Sequence, residues 1–243
     1  MVKLEDRQFE DYIIETSSHI AMPFELHMTN DGRIEIISYS FTQKIAEEFE
    51  EKFSSNPFSN EAKRFLSEKL TPAMNELGYD TEGAADRIHL EYRCDKVDTT
   101  KILPECEIIS TLEGEKWDEL PLDEFALDPE DRTDRMAVVR DGDKIVCFAG
   151  LNDISEDDGY IEVTVECCEN YRHRGFGVSC IAKLTDYLLS LGERVKYICI
   201  EDNYASRAAA ESAGFVLYDR CMPFVCYRYS EIDSADVPEE ELI

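Results

Sequence analysis

The residues Tyr171 to Cys180, "YRHRGFGVSC", combine positive charge with backbone freedom in a way that suits a bound anion. The preceding residues read as a strand and the following ones as a helix, so Gly175 and Gly177 lie where the helix begins. A helix start presents unpaired N–H groups with a partial positive charge, and glycine lets the backbone approach phosphate oxygens. Because Arg172 and Arg174 add charge-assisted hydrogen bonds, the stretch predicts a pyrophosphate site.

Two familiar phosphate-binding loops do not fit this stretch. A Walker loop needs Lys followed by Ser or Thr after its second glycine, and the dinucleotide fingerprint needs a third glycine. The pattern Arg-x-x-Gly-x-Gly of residues 172–177 is not specific by itself. The two arginines also have a plainer alternative role, as ion-pair partners of the many carboxylates of this chain. The interpretation of this stretch therefore depends on the secondary-structure elements that flank it.

Those elements form a regular series. The segment "YIEVTVECC" alternates as a strand before the loop, and apolar residues at helical spacing after it predict a helix that ends at Gly192. The segment "KYICIE" is then a strand. It is followed by a helix that Asn203 caps and Gly214 closes, and by two last strands, "FVLYDR" and "FVCYRY". Upstream, Asp141-Gly142 marks a hairpin, and residues 113–127 read as helix or loop.

This arrangement closely resembles the GNAT superfamily of acyl-CoA-dependent N-acyltransferases. The resemblance rests on the loop between strand and helix, on Asn203 after the next strand, and on Gly214-Phe215 after the next helix, and it covers about residues 105–229. It implies an α/β (α+β) fold with a GNAT-like mixed, mostly antiparallel sheet flanked by helices. It also implies acetyl-CoA as the co-substrate.

The resemblance assigns cofactor-binding roles to three stretches of the chain. The strand residues near Val165 to Cys167 would splay from the neighbouring strand and present main-chain groups to the pantetheine arm and the thioester. The loop would hold the pyrophosphate, and the start of the next helix would lie beside pantetheine. The implied CoA-binding residues are Val165, Cys167, Arg172, His173, Arg174, Gly175, Phe176, Gly177, Val178, Asn203 and Ser206.

Catalysis of N-acetylation requires a base, because an alkylamine with a pKa near 10 must lose a proton before it attacks. Glu162 and Glu166 lie on the strand leading into the loop, on the face opposite its apolar side chains. Glu162 is the preferred base, because Glu166 is close enough to Arg172 to form an ion pair. Either glutamate has the alternative role of a solvated strand carboxylate. The tyrosine that the family often carries seven positions after the Asn is replaced by Ala210, so the general acid is not identified.

The first hundred residues read as a separate α+β region. Two strands flank a hairpin signal at Asp31-Gly32, two helices follow, and "RIHLEYRCD" is a further strand. The histidines of this region are interpreted as structural or exposed. The predicted domains are an N-terminal α+β arm of residues 1–104, a GNAT domain of residues 105–229 and an acidic tail of residues 230–243.

Composition restricts the partners. The formal net charge of −29 argues against nucleic acid, and no apolar stretch is long enough to span a membrane. Nine cysteines without a Cys-x-x-Cys pair or zinc-like spacing predict reduced thiols, no bound metal and a cytoplasmic protein. The acceptor stays open among a polyamine, an aminoglycoside-like compound, an amino acid and a protein amine. A homodimer is compatible with the sequence.

The sequence thus predicts an acetyl-CoA-dependent N-acetyltransferase that works by direct attack of the amine on the thioester. Two other functions stay open. A catalytically weak or inactive acyl-CoA-binding regulatory protein is favoured by Ala210 and opposed by Glu162 and Glu166. The second alternative is an adaptor that binds a protein partner through its N-terminal arm.

Overall fold

The computed structural model describes residues 2–4, 12–13, 18–109, 135–154 and 158–229. They fall into two compact units. The first contains the described residues up to His89 together with those from Asp219 onward, and the second runs from Leu90 to Tyr218. Within these described parts, none of the helices combines the length and the apolar character needed to cross a membrane.

The first unit begins with five strands and two helices: β1 (Val2–Leu4), β2 (Tyr12–Ile13), β3 (Ser18–Ala21), β4 (Phe24–Thr29), β5 (Ile34–Ser38), α1 (Gln43–Phe53) and α2 (Asn60–Glu76). The predicted hairpin is confirmed, with β4 and β5 antiparallel around the Asp31-Gly32 turn. There Gly32 has a φ of 80°, which favours glycine. Ser59 caps α2, because its Oγ accepts a hydrogen bond from the Ala62 N–H at 3.2 Å.

The rest of the chain supplies eight strands and two helices among the described residues: β6 (His89–Cys94), β7 (Glu107–Ile109), β8 (Met136–Asp141), β9 (Lys144–Ile154), β10 (Tyr160–Cys167), α3 (Phe176–Ser190), β11 (Arg194–Ile200), α4 (Tyr204–Ala213), β12 (Val216–Pro223) and β13 (Cys226–Tyr229). The predicted hairpin at Asp141-Gly142 joins β8 to β9. The segment 113–127 and the acidic tail of residues 230–243 lie outside the described residues.

The sheet of the second unit has the order β7-β8-β9-β10-β11-β6. The β7–β8, β8–β9 and β9–β10 pairs are antiparallel, and β10 pairs with β11 in parallel because α3 connects them. The helix α3 buries Cys180, Ile181, Leu184 and Leu188 against this sheet. The fold class is therefore the predicted one, a mixed and mostly antiparallel sheet flanked by helices.

In the first unit, β4 lies between two antiparallel partners, β5 and the second half of β12. The short strands β2, β3 and β13 form a separate three-stranded sheet. Two details differ from the sequence analysis: residues 90–104 belong to the second unit, and residues 219–229 belong to the first. The extent of the GNAT domain predicted from the sequence, residues 105–229, stays a prediction.

Candidate functional site

The parallel ladder between β10 and β11 is short. It pairs Tyr160–Glu162 with Arg194–Lys196 and ends there, although β10 continues to Cys167 and β11 to Ile200. On its other side β10 stays paired with β9 as far as Cys167 opposite Cys147. The second half of β10 is thus held on one side only, as expected if this strand splays from its neighbour.

A β-bulge lies at the point where the two strands part. Glu162 pairs with Asp153 while Val163 pairs with Leu151, so Asn152 is an extra residue in β9. A bulge bends its strand, increases the local twist and redirects a side chain. The redirected Asn152 amide donates a hydrogen bond from Nδ2 to Oε1 of Glu162 at 2.9 Å. The same irregularity therefore accompanies the end of the ladder and orients the carboxylate predicted to be the base.

Glu162 has two further neighbours on β11. Its partner in the ladder is Lys196, a buried lysine whose Nζ lies 3.3 Å from Oδ2 of Asp158. The next residue, Tyr197, is buried, and burial raises the pKa of its hydroxyl, with the Glu162 carboxylate adding to the shift. Strand alternation directs Tyr197 to the face opposite Lys196, where its hydroxyl lies 2.7 Å from that of Ser206 on α4. The sequence analysis missed it, because its only signal was one aromatic residue in the segment "KYICIE".

The two candidate glutamates occupy different places. Glu166 is half-buried on the same face of β10 as Glu162, opposite Phe148 of β9. Four residues of extended strand separate their Cα atoms by about 13 Å. They therefore cannot serve the same proton. Glu162 lies at the point where the strands part, and Glu166 lies nearer the loop.

The segment after β10 turns back through a single 3-10 turn, Glu169–Tyr171. Arg172 is exposed, and its Nε donates to the carbonyl oxygen of Cys167 at 3.1 Å. Arg174 is also exposed, and it donates to the carbonyl oxygen of Asn170 at 2.9 Å. Both guanidinium groups are thus fixed on main-chain oxygens of the turn, and each has further N–H groups for an anion.

Residues 172–178, here called the phosphate loop, lead directly into α3. Gly175 is the N-cap residue of α3 with a φ of 84°, and no side chain caps the helix. His173 also has a positive φ, 61°. Among the described residues, no backbone oxygen accepts a hydrogen bond from the N–H groups of Arg174 to Val178, and the first turn of α3 carries no acidic residue. In a chain with 54 acidic residues, this leaves an electropositive helix start for an anion.

The phosphate loop lies against the unpaired half of β10. A Cβ added to Gly177 would lie 3.7 Å from Cγ2 of Val165, an ordinary van der Waals distance, so the start of α3 lies directly against the strand. Phe176, Gly177 and Val178 are half-buried. The structure therefore brings Val165 and the start of α3 together.

The start of α4 contains the other predicted cofactor residues. Asn203 caps α4, with Oδ1 accepting from the Ser206 N–H at 3.0 Å. The Ser206 hydroxyl lies 2.7 Å from the hydroxyl of Tyr197. At the position of the family's tyrosine, Ala210 is fully buried. The residue that would protonate the leaving thiolate is therefore not on this part of α4.

All nine cysteines are free thiols, and several lie close to the phosphate loop. Sγ of Cys180 is 3.9 Å from Sγ of Cys106 and 3.7 Å from the carbonyl oxygen of Cys147. Cys167, at the end of β10, forms a hydrogen bond with Cys147. That bond and burial both raise the pKa of Cys167. Cys167 is thus a neutral thiol and a weak nucleophile.

A parted pair of parallel strands, a glycine-rich turn and an uncapped helix start together form a site whose geometry suits a phosphorylated ligand. Residues 99–215 match the model of the acetyltransferase (GNAT) family. The chain therefore carries a domain of the GNAT acetyltransferase family, and the resemblance drawn from the sequence is confirmed.

Solved structures with a similar fold are also GNAT proteins. A GNAT-family acetyltransferase from Colwellia psychrerythraea is 10% identical, with 88% of this chain and 86% of that chain covered and a TM-score of 0.48. A GCN5-related N-acetyltransferase-like protein from Streptococcus suis is 15% identical, with coverages of 88% and 84% and a TM-score of 0.47.

For a GNAT-family protein from Novosphingobium aromaticivorans the identity is 18% and the TM-score 0.46, and 59% of this chain matches 65% of that chain. The chain thus spans just under two thirds of the length of that protein. No curated protein matches the sequence.

Proposed function

We propose that the protein is an acetyl-CoA-dependent N-acetyltransferase that transfers the acetyl group to an amine by direct attack on the thioester. The observation that carries this proposal is the end of the β10–β11 ladder at Glu162, followed by the phosphate loop. The opening between the strands would receive the pantetheine arm, and the phosphate loop would receive the pyrophosphate. Glu162 lies where the thioester would be presented.

The binding part of the proposal uses mainly the backbone. The N–H groups from Arg174 to Val178 donate to the pyrophosphate, and the exposed Arg172, His173 and Arg174 add positive charge. Main-chain groups from Val165 to Cys167 pair with the amides of pantetheine in place of the missing strand partner. Asn203 and Ser206 border the opening from α4. The cofactor-binding residues proposed here are those predicted from the sequence.

The chemical step is a single acyl transfer. The neutral amine nitrogen attacks the thioester carbon, a C–N bond forms, the C–S bond breaks, and CoA leaves as its thiol after gaining a proton. Glu162 accepts the proton of the amine, directly or through one water. The Asn152 amide holds one carboxylate oxygen, so the carboxylate is oriented before the amine arrives. A backbone N–H of β10 would stabilise the oxyanion.

Direct attack fits the thiol chemistry better than an acyl-cysteine intermediate. Cys167 is the last residue of β10 and lies beside the proposed pantetheine site. Because its pKa is raised, little of it is thiolate at neutral pH, and the thiolate is the nucleophilic form. A covalent route through Cys167 would therefore be slow.

The acceptor that we propose is a cationic amine, and the location that we propose is the cytoplasm. A surface with a formal charge of −29 attracts cations over a range set by the ionic strength. Polyamines, aminoglycoside-like compounds, basic amino acids and protein amines all satisfy this condition. The nine free thiols suit a reducing compartment.

A second function is kept open by one observation, the fully buried Ala210 at the family's tyrosine position. A protein without a general acid could bind acyl-CoA tightly and turn it over weakly or not at all. Such a protein would act as an acyl-CoA-dependent regulator. Glu162 and its bulge would then have no catalytic purpose.

One experiment separates the two functions. Calorimetry measures acetyl-CoA binding by the full chain, and a thiol assay measures CoA release with a panel of amines from each acceptor class. An acetyltransferase binds acetyl-CoA and releases CoA with at least one amine. Binding without release for every amine favours the regulator, and absence of binding contradicts both proposals.

A further inference from the structure

A cluster of side chains that are typical metal ligands lies in the first unit. Glu25 and His27 are two residues apart on β4 and therefore share one face of its sheet. Cys221 of β12 is the direct cross-strand partner of His27, so its side chain lies on the same face. Asp219, two residues earlier on β12, completes the β4–β12 cluster of Glu25, His27, Asp219 and Cys221.

The distances within the β4–β12 cluster suit one ion. Nε2 of His27 lies 3.7 Å from Oε2 of Glu25 and 3.7 Å from Sγ of Cys221. One ligand atom from each of the three residues lies within 4.8 Å of the others. Tetrahedral zinc with ordinary bond lengths separates its ligand atoms by about 3.3–3.6 Å. The two separations through His27 thus exceed the zinc values by a few tenths of an ångström, and the separation between Glu25 and Cys221 exceeds them by no more than about 1.5 Å.

The second ring nitrogen of His27 is fixed by Asp219. Its Nδ1 lies 2.6 Å from Oδ2 of Asp219, a carboxylate with only 9% of its side chain exposed. Metal-binding histidines usually donate their other N–H to a carboxylate in this way, because the bond sets the tautomer and the ring orientation. The second oxygen of Asp219, Oδ1, is buried without a hydrogen-bond partner among the described residues. Burying this carboxylate is costly without a cation close by.

We propose that Glu25, His27 and Cys221 form a binding site for a zinc-like divalent cation, which Asp219 supports through Nδ1 of His27. A thiolate, an imidazole and a carboxylate select zinc or a similar borderline ion over Mg²⁺ and Ca²⁺, which take oxygen ligands. Three protein ligands leave the fourth position to water or to a further side chain. The His27 side chain is 31% exposed, so an ion can enter from solvent.

A metal at this site would cross-link two strands that are far apart in sequence. His27 and Cys221 are separated by 194 residues, and each strand lies in the same sheet of the first unit. Because the unfolded chain lacks the site, metal binding would stabilise the folded first unit. This inference does not depend on acetyl transfer.

The alternative is an ion-paired histidine without a metal. Burial lowers the pKa of His27, but its hydrogen bonds to Asp219, Cys221 and Glu25 more than reverse this and raise the pKa to about 12. In that state His27 is a cation between two carboxylates. A bound metal would replace the proton on Nε2, so the two states exclude each other and can be distinguished.

The test uses the full chain, freed of metal with a chelator under reducing conditions. Cobalt(II) is added first, because a thiolate ligand gives it a charge-transfer absorption in the near ultraviolet. Zinc affinity is then measured by competition with a chromophoric chelator. We expect one equivalent of metal, a thiolate band in the wild type, and no such band in Cys221→Ser.

Variants of the β4–β12 cluster should lose affinity in a defined order. Asp219→Asn should weaken zinc about 10–100-fold, the usual effect of losing an outer-shell partner. His27→Gln and Cys221→Ser, which remove ligands, should exceed that loss. His89→Gln and Cys199→Ser make the same changes outside the cluster and should leave zinc affinity unchanged.

Thermal melting shows whether a variant has lost zinc binding or has only become less stable. Zinc should raise the melting temperature of the wild type and of His89→Gln, and should not raise that of Glu25→Gln, a near-isosteric change. A wild type that takes up no zinc, a cobalt complex without a thiolate band, or equal zinc affinity in Cys221→Ser overturns the proposal.

Discussion

The phosphate loop and the β4–β12 cluster are both places where polar side chains converge on the ends or faces of strands, but they are assembled differently. The phosphate loop is seven consecutive residues, and the binding proposed for it depends mainly on backbone N–H groups. The β4–β12 cluster is built entirely from side chains that meet across two paired strands 194 residues apart. A site formed by one turn can be predicted from a short stretch of sequence. A site formed by two paired strands can be identified only once the register of the strands is known.

This difference explains what the sequence could predict. Gly175 and Asn203 could be placed because a left-handed N-cap and a side-chain cap each leave a local signal, and the structure has both. The hairpins at Asp31-Gly32 and Asp141-Gly142 were predictable for the same reason. In each case the physical cause acts within about four residues.

The features that sequence analysis missed all depend on pairing between distant strands. The bulge at Asn152 exists only relative to β10, so its hydrogen bond to Glu162 leaves no local signal. Cys221 lies between the last two strands predicted from the sequence, and its place opposite His27 follows only from the register of β12 and β4. The expectation that no metal is bound came from cysteine spacing along the chain, which does not test ligands brought together by sheet register.

The largest effect is expected at Glu162, a residue that was predicted from the sequence but is oriented by Asn152 of the neighbouring strand. Glu162→Gln keeps the shape and can still bond to Asn152, but it cannot accept a proton. Turnover should fall about 10²–10⁴-fold, the usual contribution of a general base, while the affinity for CoA stays nearly constant. Steady-state kinetics and calorimetry measure the two quantities.

Glu166→Gln is the matched control, because the residue lies on the same face of β10 but nearer the phosphate loop. Its turnover should stay close to that of the wild type. If the effects are exchanged, Glu166 is the base. If both variants keep full turnover, water or the acceptor supplies the base.

The second effect tests whether the backbone of the phosphate loop does the binding. Gly175→Val adds a side chain where the pyrophosphate would approach, at a residue whose φ is 84°. Loss of two charge-assisted hydrogen bonds at about 1.5 kcal/mol each corresponds to an affinity loss of about 100-fold or more. Calorimetry with CoA measures this loss.

Gly192→Val supplies the control for backbone strain, since Gly192 has the same φ of 84° at the other end of α3 and open space around it. Both substitutions should lower the melting temperature by similar amounts. Unchanged CoA affinity in Gly175→Val, or an equal loss in Gly192→Val, would show that the phosphate loop is not the pyrophosphate site.

A third prediction distinguishes two roles of Arg172, binding of phosphate through its charge and positioning of the backbone. Its guanidinium is exposed, but its Nε also ties the loop to the carbonyl oxygen of Cys167. Arg172→Ala should weaken CoA by about 1–3 kcal/mol, as for a charged hydrogen bond. Affinity for pantetheine without phosphates should hardly change. Equal losses for both ligands would mean that Arg172 positions the end of β10 instead of binding phosphate.

The smallest expected effect compares two helix caps, one in each unit. Asn203 caps α4 beside the proposed pantetheine site, and Ser59 caps α2 in the first unit. Replacing either residue by Ala removes one hydrogen bond to a helix N–H and should cost about 1 kcal/mol of stability. The stability change can be followed for each helix by hydrogen exchange of the first-turn amides.

The two caps differ in what else they should do. Asn203 has its Oδ1 engaged by Ser206, which leaves its amide N–H groups to donate to pantetheine. Asn203→Ala should therefore weaken acetyl-CoA as well as fray α4, whereas Ser59→Ala should fray α2 and leave acetyl-CoA affinity unchanged. Asn203→Asp separates the two roles further, because it keeps a capping oxygen but has no N–H to donate. If Asn203→Asp binds acetyl-CoA as the wild type does, the residue acts on this site only by holding the start of α4 in place.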